Sequence, residues 1–221
     1  TLDIADYALL NDAGGTDTIS FVVGVAAGDA ADVILTGAAG GILDTFRTTI
    51  GHDVGSTGII AVTGAGWEWN AGQVFVGEWG TGTLVIENSA TVSGGLSQVG
   101  MFANSTGVVT IRGAGSRWDS GSGNVGGIGT GTVTVEDGGN YTTSHMNLGG
   151  GALGNGTIIV RGGESTWTNN GGMFVGYNGV GTLFIEDGGT FTSRTVSLGG
   201  WDGEGFGTAT VSVSGVGSTW N

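Results

Sequence analysis

Glu87, Arg112, Glu136, Arg161 and Glu186 each close a short segment that opens with glycine and alternates apolar side chains, and they stand 25, 24, 25 and 25 residues apart. The segments are Gly82-Thr-Leu-Val-Ile-Glu87, Gly107-Val-Val-Thr-Ile-Arg112, Gly131-Thr-Val-Thr-Val-Glu136, Gly156-Thr-Ile-Ile-Val-Arg161 and Gly181-Thr-Leu-Phe-Ile-Glu186. The three that end in glutamate recur at 49 and 50 residues, and the two that end in arginine lie halfway between them. An earlier copy spans Gly58–Thr63 and a stretched one Gly207–Ser214. No other feature limits the fold as strongly, because a repeat this short cannot bury its own apolar face and must stack on its neighbours.

Alternation of period two, with β-branched residues at Val109 and Ile111, Val133 and Val135, or Ile158 and Val160, predicts strands. Five or six residues after the end of each segment comes a bulky side chain: Trp69, Val92, Trp118, Tyr141, Trp167, Phe191, Trp220. An apolar residue then precedes glycine at Val76-Gly77, Val99-Gly100, Val125-Gly126, Leu148-Gly149, Val175-Gly176 and Leu198-Gly199. Each unit therefore offers three short strands separated by glycine corners. The content of 51 glycines with no proline suits recurrent tight turns and lacks the period and the proline of collagen. The expected fold is all-β: a right-handed parallel β-helix of about eight coils, its hand following from the rule for parallel crossovers. Residues 58–221 form the regular repeats of 24–25 residues, cut off within a coil at the C-terminus, and residues 1–57 are expected to be atypical N-terminal coils or a cap.

The charged positions test this stacking. Stacked coils would set Glu87, Arg112, Glu136, Arg161 and Glu186 side by side at about 4.8 Å, where alternating signs attract and like signs repel. Antiparallel sandwiches and propellers also repeat short strands, but a blade of the doubled length would not carry one template in both halves.

The formal net charge of −14, from 19 acidic residues against 5 arginines, excludes attraction to nucleic acid or an anionic membrane. Cysteine is absent, so disulfides and thiolate metal sites are excluded. The longest apolar run, around residues 21–27, is far too short for a spanning helix.

The runs Val175-Gly176, Gly181-Thr-Leu-Phe-Ile-Glu-Asp-Gly-Gly189, Leu198-Gly199 and Gly215-Val-Gly-Ser-Thr-Trp220, with Gly113-Ala-Gly-Ser-Arg-Trp118 and Glu136-Asp-Gly-Gly139, resemble a β-strand repeat of passenger regions in Gram-negative autotransporters and other exported bacterial proteins. The likeness covers residues 58–221. It implies export across the outer membrane, a β-helical passenger at the cell surface, and a role in adhesion, aggregation or biofilm.

Candidate chemistry is sparse. His52 and His145 fall in different parts of the repeat and outside any metal-ligand spacing. The acid pairs Glu136-Asp137 and Glu186-Asp187 recur because the repeat recurs, whereas a catalytic site is usually unique. A calcium nonapeptide is echoed only loosely by Gly199-Gly-Trp-Asp-Gly-Glu-Gly205. Arg47, Arg117 and Arg194 stand outside the ladder with no acidic cluster close by in sequence. Periodic Trp69, Trp118, Trp167 and Trp220 read as core. Trp79, Phe102, Tyr177 and Trp201 break the repeat just after a glycine corner, where the architecture does not dictate them, and are the candidate ligand contacts.

The expected function is that of an exported or surface-exposed passenger segment, acting as adhesin, aggregation factor or structural spacer. It has no catalytic residue, metal or cofactor. Its partner is a glycan or protein of a host or neighbouring cell, or another copy of itself, with no nucleic acid and no direct insertion into a membrane. The alternative is a carbohydrate-active β-helix enzyme or polysaccharide-binding module, which needs one non-repeated cluster of acids and bases in a cleft.

Overall fold

The Gly-Thr segments carry branched side chains at every second position, and each pairs in register with the next copy. In a computed structural model, which describes residues 2–5, 20–36, 41–200 and 207–221, they form one parallel sheet. It runs from Leu2–Ala5 and Ala30–Thr36 through Thr81–Glu87 and Asn155–Arg161 to Thr208–Ser214. A second parallel sheet runs from Ser20–Val23 through Trp67–Val76 and Arg117–Val125 to Thr219–Trp220. Among the described residues every strand pairing is parallel and there is no helix. The chain is a right-handed parallel β-helix of about eight coils.

The second and third strands expected in each coil mostly run on as one bent strand of nine or ten residues, such as Thr91–Val99 or Thr166–Val175. They separate as Asn140–Thr143 and His145–Leu148 around Ser144. The bend draws neighbouring coils so close that a Cβ on Gly121 would lie 2.1 Å from the Gly95 carbonyl oxygen, which leaves room for glycine alone. Within residues 1–57 the strands Ala30–Thr36 and Gly41–Ile50 already pair in register with the following coil.

Stacking buries the alternating residues in one column. Leu84, Ile86, Val109, Ile111, Val133, Val135, Ile158 and Val160 are wholly enclosed, as are Trp69, Val92, Trp118, Tyr141, Trp167 and Phe191. Rings pile up along the axis, with centroids 5.0 Å apart for Trp118 and Tyr141, 5.9 Å for Tyr141 and Trp167 and 4.5 Å for Trp167 and Phe191. Buried indoles need an acceptor. Trp69 donates to Thr45 Oγ1 at 2.9 Å and Trp167 to Thr143 Oγ1 at 3.1 Å, each in the coil before. The equivalent position before Trp118 is Gly94, which has no hydroxyl, and the Trp118 Nε1–H is left without a partner.

The corners after the first sheet explain why the repeat doubles. After Glu87, Glu136 and Glu186 the chain turns in a tight corner through left-handed backbone, at Asn88 (φ 55°), Asp137 (φ 54°) and Asp187 (φ 52°), residue types that tolerate this region. After Arg112 and Arg161 the corner is one residue longer and contains Ser116 or Ser165. These serine oxygens accept the backbone N–H of Ser89 and of Gly138 in the preceding tight corner, both at 3.0 Å, and Ser218 does the same for Gly188 at 3.1 Å. A tight corner thus relies on the long corner stacked on it, so the corner chemistry repeats every two coils.

The charged row lies at these corners. Glu87, Arg112, Glu136, Arg161 and Glu186 follow one another in register. Arg112 Nε donates to Glu87 at 2.6 Å and Arg161 Nε to Glu136 at 2.8 Å. The Glu136 carboxylate, aided by Glu186 and Asp137, raises the Arg161 guanidinium pKa above its ordinary value.

Candidate ligand-binding site

The corner that leads from the second sheet back to the first is where the coils differ. Each such corner opens on a glycine that allows close coil-to-coil approach; at Gly100 (φ +69°) a Cβ would meet the Thr130 carbonyl oxygen at 2.1 Å. The residues that follow stack by backbone hydrogen bonds from coil to coil, from the Phe102 N–H to the Glu78 carbonyl and from the Ile128 N–H to the Met101 carbonyl. Trp79, Phe102 and Ile128 consequently lie one above another. The rings of Trp79 and Phe102 are stacked at 3.8 Å with planes 15° apart, and Trp79 and Ile128 are each 42% exposed.

Tyr177 does not join that stack. Its ring lies edge-on to Phe174 at 5.1 Å. Between Phe102 and Tyr177 the corners of two successive coils hold Gly127, then Gly150 and Gly151, and these missing side chains leave a trough of about 330 Å³. Trp201 lies outside the described residues, so the structure brings together Trp79 and Phe102 and sets Tyr177 at the far end of the trough.

Gln98, Asn124 and Asn147, which the sequence reading passed over, line one side of this trough. They occupy one row of the second sheet, whose other members are Val22, Thr49, Phe75, Phe174 and Ser197. Asn124 Nδ2 donates to Gln98 Oε1 at 3.0 Å, and Asn147 Nδ2 to Asn124 Oδ1 at 2.9 Å. A primary amide has two donors and an oxygen with two lone pairs, so this ladder leaves most of its capacity free. The signal was present: the residue two places before the corner glycine is an amide in three consecutive coils and in no other coil from residue 49 to 197.

A second grouping was hidden by distance along the chain. Arg47 Nη2 meets Glu78 Oε1 at 2.5 Å across 31 residues, and its guanidinium lies over the Phe75 ring at 4.3 Å. His52 Nδ1 is 2.6 Å from Asp53 Oδ1, and its Nε2 is 3.8 Å from Glu78 Oε2. A cavity of about 170 Å³ beside it is lined by Val22, Arg47, Thr49 and His52. Each acid here is engaged by a base, and Glu78 is buried, so two free carboxylates do not face one another across a cleft as glycoside hydrolysis requires. Elsewhere Arg117 pairs with Asp119 of its own strand. Among the described residues no group of three His, Cys, Asp or Glu side chains is placed to hold a metal ion.

Searches against family models, curated proteins and solved structures gave no match.

Proposed function

We propose that this chain is an adhesive or spacing segment at the surface of a Gram-negative bacterium, exported as a passenger of autotransporter type. The contrast between a monotonous interior and one irregular, exposed corner line carries this reading. Repeated side chains are consumed by packing, whereas Trp79, Phe102, Ile128 and Tyr177 present apolar surface that the stacking does not need. With a net charge of −14, attachment would proceed through these neutral groups and not through attraction to anionic surfaces. Beads coated with the chain should adhere to cell monolayers well above bare beads, and a Trp79→Ala/Tyr177→Ala double variant of unchanged circular dichroism should lose most of that excess. Equal adherence of coated and bare beads would overturn the adhesive role and leave the spacer.

One competing reading is a carbohydrate-active enzyme in which the non-repeated cluster of Arg47, His52, Asp53 and Glu78 acts by a route other than a pair of free carboxylates. Release of reducing ends from plant or bacterial polysaccharides, abolished by Glu78→Gln, would establish it in place of the adhesin.

A further inference from the structure

We propose that the trough between Phe102 and Tyr177 binds an uncharged oligosaccharide lying along the solenoid axis, a ligand class that rests on and narrows the adhesive reading.

Three independent observations converge on it. The first is shape: with Gly127, Gly150 and Gly151 in place of side chains, the depression spans the coils between the Phe102 and Tyr177 rings, about 14 Å at the usual strand spacing. That is enough for an extended chain of a few pyranose rings. The second is chemistry. Phe102 and Ile128 at one end and Tyr177 at the other supply apolar surface for the C–H faces of sugars, and the Gln98, Asn124 and Asn147 amides between them supply both donors and acceptors, as paired ring hydroxyls require. The third is position, since the amides replace the Val, Thr, Phe and Ser of other coils only in coils that border the trough.

The absence of ionic groups sets the charge of the ligand. The residues lining the trough are all neutral, and the molecule around it is strongly acidic. A uronate or sulfated chain would find no counter-ion there and would face repulsion from the whole protein.

The test is isothermal titration of the full chain with hexasaccharides of β-1,4-linked glucose, galactose and N-acetylglucosamine, with a hexamer of galacturonate for comparison. At least one neutral hexamer should bind, and galacturonate should bind at least tenfold more weakly. Gly150 lies outside the left-handed region, and an added Cβ would meet nothing nearer than the Asn124 side chain, whose Oδ1 at 3.3 Å must give by a few tenths of an ångström, so Gly150→Leu fills the trough without a backbone clash. Gly150→Leu and, separately, Tyr177→Ala should each weaken binding at least tenfold, while Leu153→Ser, at an exposed position not lining the trough, should leave it unchanged. Either trough variant suffices if the other is poorly folded by circular dichroism. No binding of any neutral hexamer at millimolar concentration, equal binding of galacturonate, or binding untouched by both trough variants would overturn the proposal. Beads that adhere without any hexamer binding would remove the trough and spare the adhesive role; hexamer binding without adherence would do the reverse.

Discussion

The column of Trp69, Trp118 and Trp167 and the corner pair of Trp79 and Phe102 use the same kind of side chain to opposite ends. Column residues recur at the repeat spacing and are wholly buried, Trp118 stacking on Tyr141 and Trp167 on Tyr141 and Phe191. The corner pair occurs once among the described residues, stacks at 3.8 Å and leaves Trp79 42% exposed. In a solenoid the rung position of an aromatic, more than its identity, decides whether it holds the coils together or is left to meet something else.

Truncation sharpens that contrast most. Trp118→Ala should cost about 3–5 kcal/mol in urea unfolding, the range for deleting a large buried aromatic, whereas Trp79→Ala should cost no more than about 1 kcal/mol, as expected for an exposed stacked pair. Comparable losses at the two sites would break the distinction between column and corner. Next in size is Ser165→Ala, which leaves the Gly138 N–H without its acceptor and should cost about 1–3 kcal/mol. The loss should be local, showing as faster amide exchange in the two coils that share this corner.

Arg112→Glu probes the ladder by placing three glutamates in consecutive rungs with Glu87 and Glu136. A loss of about 1 kcal/mol at low salt that shrinks in 1 M salt is expected for exposed pairs. A salt-independent loss would mean that the arginine stem, not its charge, is what matters.

The smallest effect concerns pH. Burial pushes the Tyr141 hydroxyl well above the ordinary tyrosine range, an effect only partly offset by the nearby Ser97 and Ser120 hydroxyls. Because the folded value is raised, the native state holds this proton more tightly than the unfolded chain, so stability is full below about pH 10 and falls as pH rises beyond it. Tyr141→Phe should change stability little at neutral pH and flatten that alkaline decline.

Much of this molecule was legible in the residues alone because a stacked repeat makes neighbours in space of residues one period apart. Counting 24 or 25 along the chain gave the Glu and Arg row and the buried Trp69, Trp118 and Trp167, whereas Trp220 of the same row is 40% exposed and the buried Trp67 lies off it. The amide row at Gln98, Asn124 and Asn147 carries the same period, but its members are uncharged and not aromatic and so do not stand out from the strand around them. The approach of Arg47 to Glu78 defeats such counting: their spacing of 31 fits no repeat, and the contact depends on long side chains reaching across a corner. Nor did the residue types reveal that Trp79 and Phe102 share a stack while Tyr177 stands apart.

The sequence by itself determined the coil, its period, the face that each strand buries and the sign of each charge in the ladder, since all follow from periodicity acting through parallel pairing. Only the tertiary structure decided which corner residues meet, that the serine of a long corner completes the tight corner before it, and that glycines in consecutive coils open a trough between two aromatic rings. Those outcomes turn on corner lengths and left-handed residues that shift a side chain by one place, and one place is the whole difference between stacking on a neighbour and facing solvent.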